Sequence, residues 1–223
     1  MDAGAPPAAA RRPALPLPTL VLVTDAARLH GRDLAQVVRQ AVEGGVTAVQ
    51  LRDKTASHEQ LLEDGACVRD AIAGRAMFFV NGDVDAALAL AADGVHLPER
   101  GPNVADVRAR VGDAMLISRA VHSVASALRA EREGADIVQL GTVFETASKP
   151  GAAPIGLDGL RAACGAVGVP VIAIGGITPD NAAAVLRAGA AGVAVIGAIF
   201  DADDPRRAAA GLRAALAGTT ARA

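Results

Sequence analysis

The stretch "VIAIGGITPDNAAAVLRAGAAGVAVIG" (Val171–Gly197) contains one complete repeat of the pattern that decides the fold. It opens on a short apolar run, "VIAIGG" (171–176), that reads as a buried strand closed by two glycines. "PDNAAAVLRAGA" follows, with Pro at an early helical position and Gly near its end, which is how a helix is started and stopped. "VAVIG" (193–197) then reads as the next strand. Working outward, the same rhythm begins at Thr19, with strands expected at "LVLVTD" (20–25), "AVQLR" (48–52), "MFFVN" (77–81), "GVHL" (94–97), "MLISRAV" (115–121) and "IVQLG" (137–141). That makes eight strands, each followed by a helical pattern. Eight such units predict a (β/α)8 TIM barrel, with a doubly wound sheet as the alternative, because alternation alone does not say whether the sheet closes. No linker interrupts the pattern, so residues 19–223 are expected to form one domain. The first 18 residues, "MDAGAPPAAARRPALPLP", are rich in Pro and Ala and are expected to be a disordered leader without the apolar core of a signal peptide.

Composition excludes several functions. Of the 223 residues 52% are apolar, yet only four are Phe and none is Trp or Tyr, so stacking platforms for bases are absent. The net charge of −2, with acids and bases interspersed, lacks the basic footprint of a nucleic-acid binder. No uncharged apolar run approaches the length of a membrane span. A cytoplasmic enzyme with a small-molecule partner is the expectation, and the oligomeric state is left open, a homo-oligomer included. Cys67 and Cys164 are far apart, without a CxxC or a neighbouring His, and read as buried, inert thiols.

In a TIM barrel the chemistry sits at the C-terminal ends of the strands. The polar residues expected there are Asp25, Gln50, Arg52, Lys54, Asn81, Arg119, His122, Thr142, Thr146 and Lys149. They form a cationic, hydrogen-bonding mouth without a dense acidic cluster, which suits an anionic small substrate better than a metal centre. Phosphate is the favoured anion. Gly175 and Gly176 end strand seven, and Ile196 and Gly197 end strand eight, where backbone N–H groups can approach a ligand at the recurrent phosphate site of this fold. The plainer reading of these glycines is that they merely permit tight turns.

"VQLRDK" (49–54), "GADIVQLGTVFETASKPG" (134–151) and "PVIAIGGITPDNAAAVLRAGAAGVAVIGAIF" (170–200) resemble the thiamin phosphate synthase superfamily from Thr19 to Phe200. The resemblance implies the barrel, the thiamin pathway and the phosphate loops. It also offers two activities: a synthase that joins a pyrimidine diphosphate to a thiazole phosphate using magnesium, and a metal-free tautomerase that aromatises a thiazole carboxylate phosphate. By the synthase likeness, Gln50, Arg52, Lys54, Thr146, Ser148 and Lys149 contact pyrimidine and pyrophosphate. The metal positions depart from that pattern, since Gly82 and Gly101 stand where carboxylates are usual, with Asp83 and Glu99 one register away. Ala120 and Gly197 likewise replace serines. "VNGDVDAAL", "VHLPERG", "SRAVHS" and "VFETASK" resemble the tautomerase branch instead. That branch needs one group able to accept and donate a proton near neutrality, and histidine suits the task. The expectation is therefore a thiazole tautomerase acting on a small phosphorylated thiazole, with His122 as acid and base and no cofactor or metal. The synthase, with magnesium, is the alternative, and a non-catalytic thiazole-phosphate-binding regulator is the third reading. His96 is expected to be a structural barrel residue, and His30 and His58 to face solvent.

Overall fold

The computed structural model describes residues 12–149 and 151–220. Its eight parallel strands are β1 (Thr19–Val23), β2 (Ala48–Leu51), β3 (Met77–Asn81), β4 (Gly94–Leu97), β5 (Leu116–Val121), β6 (Ile137–Gly141), β7 (Val171–Ile174) and β8 (Gly192–Val195). Closure is direct: β1 pairs with β8, Leu20 against Val193 and Leu22 against Val195, so the sheet is a closed barrel and the doubly wound alternative is excluded.

Helices α1 (Leu34–Glu43), α2 (His58–Ile72), α3 (Val84–Ala89), α4 (Val104–Val111), α5 (Val124–Arg132), α6 (Gly156–Ala166), α7 (Pro179–Arg187), the short α8 (Gly197–Phe200) and α9 (Pro205–Thr220) surround the strands. Side-chain oxygens at the N-caps satisfy amide donors that the first helical turn leaves unpaired. Asp33 accepts from the Gln36 amide at 2.7 Å, Ser57 from Gln60 at 3.2 Å and Asp83 from Ala86 at 2.8 Å. Ser123 with Ser126, and Thr178 with Asn181, form reciprocal capping boxes, the second just before Pro179.

Side-chain alternation along the strands separates two cores. Leu20, Leu22, Val49, Val80 and Val95 face the helices. Val21, Ala48, Phe79, Leu116, Ile137, Ile172 and Ala194 fill the barrel interior. Two positions further along, the same phase delivers Val23, Gln50, Asn81, Gln139, Ile174 and Ile196 to the floor of a cavity at the strands' C-terminal ends.

At the opposite end, residues 12–18 do not fit a disordered leader. Leu15 packs on the interior cluster, Arg12 bonds Asp113 and Asp136 at 2.6 and 2.5 Å, and the Pro18 carbonyl accepts from Arg213 at 2.7 Å. The expectation for residues 1–11 lies outside the described residues. Cys67 also departs from expectation: its helix phase leaves it exposed, while Cys164 is half-buried and burial pushes its thiol pKa up. Among the described residues no helix is long and apolar enough to cross a membrane.

Candidate active site

The cavity at the barrel mouth measures about 660 Å³. One wall is polar. The Gln50 amide, 3% exposed at the end of β2, donates to Asn81 Oδ1 on β3 at 3.3 Å. Thr24 ties the first two strands together, since its hydroxyl donates to the Arg52 carbonyl at 2.9 Å and accepts from the Arg52 amide at 2.7 Å. The loop after β2 is then turned by Asp53, whose Oδ1 accepts from the Thr55 amide and hydroxyl, both at 2.8 Å. The Thr55 amide bond leads the effects that hold the Asp53 carboxyl below its ordinary range, so it stays anionic and the turn stays closed. Arg52 and Lys54 flank this turn and line the cavity.

The next two strands carry two histidines in different surroundings. His96 on β4 is 4% exposed and its Nδ1 lies 2.9 Å from the Ser118 hydroxyl. Burial, followed by the charges of Arg52 and Arg119, lowers its pKa to about 3, so it is neutral throughout the physiological range. His122, one residue beyond β5, is far more open. Its Nδ1 contacts the Gly141 carbonyl. A carbonyl only accepts, so that nitrogen carries a hydrogen. Lys149 Nζ stands 3.3 Å from Nε2 and Glu99 Oε2 stands 3.7 Å from it.

Across the mouth, the turn after β7 lies against the loop after β6. The Phe144 amide donates to Gly175 O at 3.1 Å, and Asn181 Nδ2 donates to Gly176 O at 2.8 Å. Gly176 has φ +65°, and a Cβ there would lie 2.4 Å from the Glu145 carbonyl, so no other residue fits this close approach. Gly175, Gly176, Ile196 and Gly197 border the same cavity as Gln50, Arg52, Lys54, Asn81, His122, Thr146 and Lys149.

Arg119 is not among them. The inward residues of β5 are Leu116, Ser118 and Ala120, so Arg119 points out of the barrel, where its guanidinium donates to Pro102 O at 2.6 Å and to Glu99 O at 2.8 Å. It shapes the neighbouring loop instead of lining the mouth. Asp25 also stays off the cavity wall and faces Arg28 at 3.6 Å. Sequence reading missed Arg28 itself, which lines the mouth, pairs with Asp201 at 2.5 Å and reaches Ser148 Oγ at 3.4 Å. The signal available was its place three residues past Asp25, in the loop after the first strand.

Fold and cavity together define a (β/α)8 barrel whose mouth is lined by cationic side chains and glycine turns. The chain belongs to the thiamine monophosphate synthase family, which it matches over residues 20–199. The thiamine-phosphate synthase of Chloroflexus aurantiacus is 45% identical over 206 residues, covering 92% of this chain and 95% of that protein. The thiamine-phosphate synthase of Pyrococcus furiosus is 45% identical over 178 residues, covering 79% and 85%. The structure of the thiamine phosphate pyrophosphorylase from Pyrococcus furiosus superposes with a TM-score of 0.82 at 40% identity, covering 90% of this chain and 96% of that one. These likenesses overturn the expectation of a tautomerase. That expectation rested on four short motifs at the rim, whereas identity sustained over most of the chain runs to proteins named as synthases. The placement of His122 at the mouth is a geometric fact that survives the correction, and its reading as the acid and base of an isomerase does not.

Proposed function

We propose that this protein is a thiamine-phosphate synthase, joining a pyrimidine methyl diphosphate to a thiazole phosphate with release of pyrophosphate. The observation that carries the reading is one cavity lined both by cationic side chains and by glycine-bearing backbone turns. Arg52 and Lys54 line it from the loop after β2 and Lys149 from the loop after β6, which packs on the turn at Gly175–Gly176, while Ile196–Gly197 border the same space. A reaction between two phosphorylated partners requires that pairing, and sustained identity to named synthases supports it.

The chemistry needs little from the protein beyond placement and charge. The bond between the pyrimidine methylene carbon and the diphosphate oxygen breaks, and the diphosphate leaves with the electron pair. The thiazole ring nitrogen then gives its lone pair to the carbon, and no proton has to be moved. Lys149, Lys54 and Arg52 stabilise the negative charge that grows on the leaving group, a role worth most inside a preorganised site. The Gln50–Asn81 amide pair offers donors and acceptors to the pyrimidine edge. The glycine turns hold the thiazole phosphate through backbone N–H groups, setting the nitrogen in line for attack.

Magnesium, which the family resemblance implies, does not fit the residues present. Gly82 and Gly101 occupy the usual carboxylate positions, and both oxygens of Asp83 are engaged by the Ala86 amide and His58. The roles assigned above belong to this chain's own residues alone.

Growth of a cell lacking its thiamine-phosphate synthase tests the proposal. Expression of this chain should restore growth without thiamin, and Lys149→Met should not. Failure of the unmodified chain, expressed in soluble form, would contradict it.

A further inference from the structure

A diphosphate in a protein cavity is neutralised by a hard cation such as magnesium or by the protein's own guanidinium and ammonium groups. We infer that this chain grips its diphosphate with Lys149, Lys54 and Arg52 and needs no divalent metal to do so. The inference rests on the synthase reading for the identity of the ligand, and goes beyond it in the source of the neutralising charge.

Two turns carry it. After β4, the Gly101 amide donates to Pro98 O at 2.8 Å and closes a tight turn. A Cβ at Gly101 would lie 2.9 Å from Pro98 O and 3.1 Å from Pro98 Cδ, so the turn has no room for a carboxylate-bearing residue. Arg119 clamps the same loop from outside through Glu99 O and Pro102 O, which holds that geometry in place. After β3, Gly82 has φ +81°, a left-handed conformation that strains a residue with a side chain.

The neighbouring acids do not fill the gap. Asp83 Oδ1 accepts from the Ala86 amide at 2.8 Å, and Oδ2 lies 2.7 Å from His58 Nδ1, so the carboxylate is spent on a helix cap and an ion pair. Glu99 faces His122 Nε2 at 3.7 Å, and the other carboxylates lining the cavity, Glu145 and Asp201, stand on the loops after β6 and β8, where Asp201 is paired with Arg28 at 2.5 Å. Among the described residues no three His, Cys, Asp or Glu side chains gather into a metal-holding group. The cations, by contrast, all line the cavity. Lys149 Nζ stands 3.3 Å from His122 Nε2, and the Asp53 turn places Lys54 two residues past Arg52, both lining the cavity.

The experiment is calorimetric titration of the full chain with inorganic pyrophosphate, once with magnesium and once with a chelator. The expected affinity is the same within about twofold in both, Lys149→Met and Lys54→Met each weaken it about tenfold in both, and Glu99→Gln leaves it unchanged with magnesium present. Binding that tightens about tenfold with magnesium, that collapses in the Glu99→Gln variant, or that is absent under both conditions would overturn the inference. No turnover is read. A chain that grips pyrophosphate in chelator yet makes no thiamine phosphate would therefore refute the synthase reading alone, and a synthase whose pyrophosphate affinity depends on magnesium would refute this inference alone.

Discussion

The two halves of the barrel mouth are built from different material. At β7 and β8 the wall is backbone, two glycine-bearing turns in which Gly176 approaches the Glu145 carbonyl too closely for any side chain. At β2 to β4 and β6 the surface is made by side-chain contacts: Gln50 on Asn81, Lys149 on His122, and the backbone carbonyls of the loop after β4 on the Arg119 guanidinium. A backbone grip depends on conformation, which only a few residue types permit. A side-chain grip depends on direction and on which partner each group has already taken.

That difference can be broken first at the backbone half. Gly176→Ala forces a side chain into a left-handed, crowded position, and strain of this kind costs about 1–3 kcal/mol. Inorganic phosphate affinity should fall about tenfold or more, with a lowered melting temperature, while pyrophosphate affinity changes little. Equal loss of both anions would show that the halves do not act separately.

The side-chain half should answer to pH through His96. Its folded pKa is pushed down to about 3 against an ordinary value of 6.5, so between those limits the unfolded chain binds a proton that the folded chain refuses. Stability is complete above about pH 6.5 and declines as pH falls, with a slope of up to about 1.4 kcal/mol per pH unit from this one group. Denaturant unfolding at several pH values should show the slope, and His96→Asn should flatten it. A slope unchanged in that variant would assign the acid sensitivity to other groups.

A smaller effect is expected from Arg119→Met, which releases the carbonyls of Glu99 and Pro102 without entering the cavity. KM should rise about threefold with kcat nearly constant, as for loss of ordinary hydrogen bonds that position a loop. A fall in kcat of about 10²-fold would place Arg119 in the reacting site after all. The smallest effect is at the base of the barrel. Arg12→Ala removes two pairs whose Arg side chain is 45% exposed, so stability should drop by about 1 kcal/mol or less with kcat/KM unchanged.

What was legible in the sequence follows the same division. The closed barrel could be read from periodicity, and β3, β4 and β6 have the boundaries expected, because strands buried on both faces leave continuous apolar runs. The glycine turns were legible because a glycine there reports a backbone requirement. Arg119 was not, because one position of phase decides whether a strand residue faces the cavity, and its neighbours Ser118 and Ala120 hold the inward phase. Arg28 and Asp201 stand 173 residues apart, and no local pattern announces a pair made only by the closing of β1 on β8. The short rim motifs misled about activity for a related reason. They described a few loop residues, whereas the activity is better tracked by likeness across the frame that positions them.

The most direct measurement incubates the purified chain with the pyrimidine methyl diphosphate and the thiazole phosphate, in chelator and in magnesium, and quantifies thiamine phosphate and pyrophosphate together. Equal molar amounts of the two products are expected, formed in chelator as well as in magnesium and strongly reduced by Lys149→Met. Absence of thiamine phosphate under both conditions would contradict it.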